Sequence, residues 1–220
     1  MIEPEKALAH IVFDCDGTLV SSHEGIIDAL VVFLGQLLGK VVEKEEVRKN
    51  YYPQLNIMAE RFGIDASSQE KQKELLDHWA VVCAKQPHQF SLFPQIKDLL
   101  NACEQNQWAL YVWTGRDRVT TLEILKALGI MPYFWDFRTA SDGIPKPHPM
   151  GLEELVGDWD KKKTILIGDS GTDLNGAHNF GCHFIGATWC EHSEKKTITN
   201  GHFAKQPMDC VEKIKNLLEE

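Results

Sequence analysis

Asp14 and Asp16 stand two residues apart, just after the apolar run Ile11-Val12-Phe13, and Gly17 and Thr18 follow them. The run has the length and composition of a buried strand. Such a strand has no packing use for two acids at its end, whereas strand ends in open α/β sheets are where ligands sit. Two carboxylates so placed could hold a hard cation and leave an oxygen for chemistry, although by themselves they suit a polar turn as well. Further polar residues follow other apolar runs. Thr114 follows Trp108 to Trp113, Lys146 sits in the proline-rich loop Ser141 to Pro149, and Asp169 and Asp173 follow Thr164 to Gly168 in Gly-Asp-Ser-Gly-Thr-Asp. A hydroxyl and an ammonium can bind a phosphoryl group. Carboxylates in this number can bind Mg2+, which offsets their repulsion; with no cation they would take up protons.

The elements that must bring these residues together follow from periodicity. Strands are expected at Ile11 to Phe13, Trp108 to Trp113, Phe134 to Thr139, Thr164 to Gly168 and His183 to Thr188. Helices are expected at Pro94 to Asn106, Val119 to Leu128, Met150 to Val156, Leu174 to Phe180 and Met208 to Leu218. This alternation implies a parallel sheet covered on both faces, with every strand ending on one rim. Between residues 20 and 88 no convincing strand occurs. A helix from Ile26 to Leu38 would start in a capping box of Ser21, or Ser22, with Glu24 and stop at Gly39. Helices over Glu43 to Asn50, Leu55 to Phe62 and Gln69 to Lys85 follow, the last burying Leu75, Leu76, Trp79, Val82 and Cys83.

The chain has 220 residues, 43% of them hydrophobic, and a net charge of −9. That size suits a large domain or a core plus a smaller one. The charge argues against a general binder of nucleic acid or anionic membrane. Met1 to His10 holds no apolar stretch of signal-peptide length and no run could span a bilayer, so a cytoplasmic enzyme is expected. The six cysteines form no Cys-x-x-Cys pair and are expected to be reduced thiols. Cys15 should point away from its acidic neighbours and serve packing.

The order Asp-x-Asp-Gly-Thr-Leu, a strand ending in Thr, Lys-Pro and Gly-Asp-x-x-x-Asp resembles the haloacid dehalogenase-like superfamily over essentially the whole chain. The helical stretch resembles the helical cap of the phosphoglycolate phosphatase and β-phosphoglucomutase group. The resemblance implies an α/β, Rossmann-like core over 1–19 and 89–220, with a small all-helical cap over 20–88 inserted after the first strand. It implies Mg2+ as cofactor and a small phosphorylated metabolite as substrate. Asp14 would be the nucleophile that becomes an aspartyl phosphate, and Asp16 the acid and base. Asp14, Asp169 and the backbone carbonyl of Asp16 would hold the metal, and Asp173 would support a metal-bound water or Lys146. Thr114, Gly115 and Lys146 would hold the phosphate. Two departures stand out: Ser21-Ser22 replaces the frequent Asp-Ser, and Arg116 follows Gly115, where it could reach an anion or end in a surface ion pair.

The expected activity is therefore phosphomonoester hydrolysis of a phosphoglycolate-like or sugar phosphate substrate. A phosphomutase of the β-phosphoglucomutase type would use the same intermediate. A halide-releasing enzyme would leave Asp16 and the metal ligands without a task, and a non-catalytic protein on the same fold would not need the intact acids and lysine. Monomer and homodimer both remain open.

Overall fold

A computed structural model describes residues 1–52, 54–85, 90–199 and 201–219. The strands are β1 (Ala9–Phe13), β2 (Val20–Ser21), β3 (Ser91–Leu92), β4 (Trp108–Trp113), β5 (Asp136–Arg138), β6 (Thr164–Gly168), β7 (His183–Ala187) and β8 (Phe203–Ala204). The helices are α1 (His23–Leu38), α2 (Lys44–Asn50), α3 (Leu55–Arg61), α4 (Gln69–Ala84), α5 (Ile96–Gln105), α6 (Arg118–Ala127), α7 (Met150–Val156), α8 (Gly171–Phe180), α9 (Lys195–Ile198) and α10 (Asp209–Glu219).

Close contacts divide the chain into one unit of 1–21 with 91–220 and a second of 22–90. The first is an α/β, Rossmann-like unit. Its parallel sheet has the order β5-β4-β1-β6-β7-β8, with Ile11 paired to Leu110 on one side and Ile165 on the other. All five residues of β1 and of β6 are buried, as continuous apolar runs covered on both faces must be. Strand alternation sends Val12, Tyr111 and Leu166 to the face closed by Leu152 and Leu155 of α7 and Phe180 of α8. On α5, Ile96, Leu99, Leu100 and Cys103 form a buried stripe, and the helix packs against β4 and α10. Strand order reverses beside β1, so the crevice between the ends of β1 and β6 is the topological switch point.

The second unit is all-helical among the described residues and has its own core, including Phe33, Leu34, Val47, Met58 and Leu75. Several expectations need correction here. Val20 and Ser21 are not helical: they form β2 and pair antiparallel with β3. The boundary expected at 88–89 lies outside the described residues. The capping box does not form. Ser22 is the N-cap without a side-chain bond, and Glu24 instead accepts from Arg48 Nη2 at 2.7 Å and pairs with Lys44 at 3.0 Å. These charge-assisted bonds outcompete a neutral backbone amide. Leu76 is 56% exposed, because the buried stripe of α4 runs through Leu75, Trp79 and Val82 and position 76 lies a hundred degrees around the helix. Cys83 is only half-buried. Trp108 and Trp113 are core residues, as expected, and Cys15, Cys103, Cys182, Cys190 and Cys210 are free thiols.

Candidate active site

Asp14 follows β1, and its backbone N–H donates to Ile167 O at 2.9 Å, so the strand pairing carries on one residue past Phe13 and fixes the acid against β6. The chain then turns sharply: Leu19 and Val20 both donate to Cys15 O. Gly17 sits at φ +79°, and a Cβ there would lie 2.1 Å from the Asp169 carboxylate. Only glycine lets the turn after β1 approach the acid after β6 so closely. Gly168 is as constrained, since its Cβ would meet Asp173 at 2.5 Å.

Lys146 is the hub. Its Nζ donates to Asp14 Oδ1 at 2.7 Å and to Asp173 Oδ1 at 2.5 Å, and all three side chains are at most 10% exposed. The same ammonium lies 5.1 Å from the centre of the Trp113 ring, an added attraction for a desolvated cation. Asp173 is itself fixed by the start of α8. Its Oδ2 accepts from Ser170 Oγ at 2.6 Å and from Ser170 N at 3.2 Å, a capping box that the sequence reading did not include. Thr114 is buried at the end of β4, with its N–H bonded to Arg138 O, and Gly115 beyond it is exposed. Cys15 is wholly buried and serves packing.

Asp14, Asp169 and Asp173 each offer an oxygen within 4.8 Å of the others. A set of hard carboxylate oxygens this close fits a small divalent cation. The Asp16 carboxylate is engaged elsewhere. Its Oδ2 accepts from Arg116 Nε at 3.0 Å and its Oδ1 from Arg116 Nη2 at 2.5 Å. Arg116, whose sequence position left open an anion contact or a surface ion pair, is mostly buried and belongs to the site region. Its place directly after Gly115 was the signal for it in the sequence.

The electrostatics follow from burial and crowding. Burial pushes Asp14 up to about 7, opposed by Lys146 and reinforced by Asp173 and Asp16. Burial, with Asp14 and Asp173 adding to it, pushes Asp169 up to about 8. Lys146 is held above its usual range, because Asp14 and Asp173 outweigh the desolvation that would lower it.

Between their unfolded values near ~4 and these raised values, the native carboxyls keep protons that the unfolded chain releases, so stability falls as pH rises. Burial also holds His10 down at about 4, but its opposite contribution is confined to pH below roughly 6.5. Thermal melts in chelator should therefore show a falling midpoint from pH ~6.5 to ~8, and Asp169→Asn should flatten the slope. A wild-type midpoint that is level or rising across that window would contradict the crowding described.

Residues 11–187 match the family model described as haloacid dehalogenase-like hydrolase. The chain is 29% identical to a phosphoglycolate phosphatase of Yersinia pseudotuberculosis, over 94% of this chain and 89% of that one. A predicted phosphatase from Clostridium acetobutylicum superposes with a TM-score of 0.78 at 22% identity, covering 96% of this chain and 99% of that one. A predicted phosphoglycolate phosphatase from Haemophilus somnus gives 0.75 at 21% identity, covering 93% and 96%.

Proposed function

The chain belongs to the haloacid dehalogenase-like hydrolase family and is a phosphatase of that family; from that premise we propose that it hydrolyses a small phosphomonoester, Mg2+-dependently, through an aspartyl phosphate on Asp14. The observation that carries this reading is the buried Lys146 held between Asp14 and Asp173, with Asp169 beside them. An ammonium already bonded to the nucleophile's oxygen is well placed for the oxygens of a phosphoryl group arriving at Asp14.

In the proposed reaction an Asp14 oxygen forms a bond to phosphorus as the ester P–O bond breaks. Asp16 gives the leaving oxygen its proton, then takes one from the water that attacks phosphorus and frees Asp14. Thr114, the Gly115 backbone and Lys146 hold the phosphoryl oxygens. Asp14, Asp169 and the Asp16 backbone carbonyl would hold the cation, with Asp173 alongside. Bound there, Mg2+ supplies the charge neutralisation that lets an anionic nucleophile approach an anionic ester. The phosphoglycolate phosphatase relative supports a phosphoglycolate-like substrate, with a sugar phosphate second. The free thiols of Cys15, Cys103, Cys182, Cys190 and Cys210 favour the cytoplasm.

The test is a panel of phosphoglycolate, sugar phosphates, nucleotides and pyrophosphate, with release of inorganic phosphate as the readout. Phosphate should appear with Mg2+ from a small monoester, stop with EDTA and resume on adding Mg2+. Isomerised sugar phosphate without free phosphate would turn the reading to a mutase. Neither product across the panel would defeat it.

A further inference from the structure

Arg116 has no part in the reaction as set out, yet it holds both oxygens of the Asp16 carboxylate, through Nε and Nη2. We infer that Arg116 is a positioning residue that acts through Asp16: its guanidinium fixes the orientation of that carboxylate beside Asp14. The inference rests on the proposed role of Asp16 and goes beyond it, since nothing in that role calls for a guanidinium partner.

The geometry favours positioning over a chance surface pair. Exposed ion pairs contribute little and are free to rearrange. Here the arginine side chain is 16% exposed and the aspartate 31%. A two-point contact between a planar fork and a carboxylate constrains direction as well as distance, which a lysine at the same place could not do. The backbone that carries the fork is pinned on both sides. Arg116 N donates to Thr114 Oγ1 at 3.2 Å, and Arg116 O accepts from Ala140 N at 2.9 Å. At the other end the turn bearing Asp16 is locked by Gly17 N donating to Val20 O at 3.0 Å. The carboxylate thus stands between two fixed backbones, and a two-point contact on its oxygens bears on the torsions of its side chain. Arg116 sets them. A proton carrier must lie within hydrogen-bond reach of the atom it serves, so an Asp16 free to turn would spend much of its time out of reach.

The test compares Arg116→Ala, Arg116→Lys, Asp16→Asn and Arg116→Ala with Asp16→Asn, using an alkyl phosphate and saturating Mg2+. Arg116→Ala should lower kcat roughly 10- to 100-fold, the usual range for an outer partner of a reacting group, with KM and inhibition by inorganic phosphate little changed. Arg116→Lys should recover only a small part, and added guanidinium, kept below denaturing concentration, should partly restore Arg116→Ala. The double variant should be no slower than Asp16→Asn alone, since both changes act through one group. Three results would overturn the inference: a raised KM with kcat kept, which marks a substrate contact; multiplying losses in the double variant; or a loss that tracks thermal stability and ignores guanidinium, which marks a clamp between loops. Wild-type rate in Asp16→Asn would remove the proposed role of Asp16 as well, whereas a crippled Asp16→Asn beside an unaffected Arg116→Ala defeats the positioning role alone.

Discussion

Asp14→Asn should reduce turnover of a phosphomonoester by more than ~10³-fold, equivalent to about 4 kcal/mol of lost transition-state stabilisation, while the fold survives. The amide keeps the shape of the carboxylate and is a far poorer nucleophile. Survival of the fold follows from the anchoring of residue 14: its backbone bond to Ile167 O does not involve the side chain, and the amide oxygen can still accept from Lys146 Nζ, 2.7 Å away in the wild type. Burial of one fewer crowded carboxylate should even raise the melting temperature in chelator above neutral pH, because the acid it replaces is held well above the usual range by burial. Pure variant protein that keeps more than a tenth of the wild-type rate would remove Asp14 as nucleophile.

Lys146→Met should be nearly as damaging to activity and, unlike Asp14→Asn, should also destabilise the protein. The ammonium bridges two carboxylates that are almost wholly buried. Removing one partner of a buried ion pair costs on the order of 3–5 kcal/mol, since the remaining charge has no water to turn to. Here two acids are left facing each other with Asp169 beside them. The melting point should fall, fall further as pH rises through the range where Asp14 and Asp169 ionise, and recover in part with Mg2+. Turnover should drop by at least ~10²-fold even when Mg2+ saturates, because the charge proposed to bind the phosphoryl group is gone. Urea melts with and without Mg2+, alongside kcat/KM, check both halves. A Lys146→Met protein as stable as wild type in chelator at pH ~8 would show that the bridge does not carry the charge balance assigned to it.

The core of the α/β unit was legible because its strands are long apolar runs. Trp108 to Trp113 and Thr164 to Gly168 are the observed β4 and β6 to the residue, and Met150 to Val156 is the observed α7. Parallel strands end on one rim, so the convergence of Asp14, Thr114 and Asp169 followed from where each run stopped. Lys146 sits in a loop without periodicity, and its place between Asp14 and Asp173 could not be reached from spacing alone. The short strands β2, β3 and β8 were missed because two residues carry no period to detect; β2 and β3 are defined only by pairing across an insert of about seventy residues. The capping box expected at Glu24 failed because Arg48 and Lys44, distant in sequence, offer that acid stronger partners. The Arg116–Asp16 contact joins two loops a hundred residues apart. An arginine two residues after a threonine at a strand end does not announce from sequence whether it meets substrate, solvent or another side chain.

The central claim, a phosphoryl group carried on Asp14, is tested most directly by trapping it. Asp16→Asn should slow breakdown of the aspartyl phosphate more than its formation when an aryl phosphate supplies a leaving group that needs no proton. Mixed with that ester and Mg2+ and quenched in acid within milliseconds to seconds, this variant should carry close to one phosphoryl group per chain. The group should be released by hydroxylamine, as an acyl phosphate is, and peptide mass mapping should place it on Asp14. An aryl ester that turns over with no trapped phosphoenzyme, or a label on any residue other than Asp14, would contradict the account.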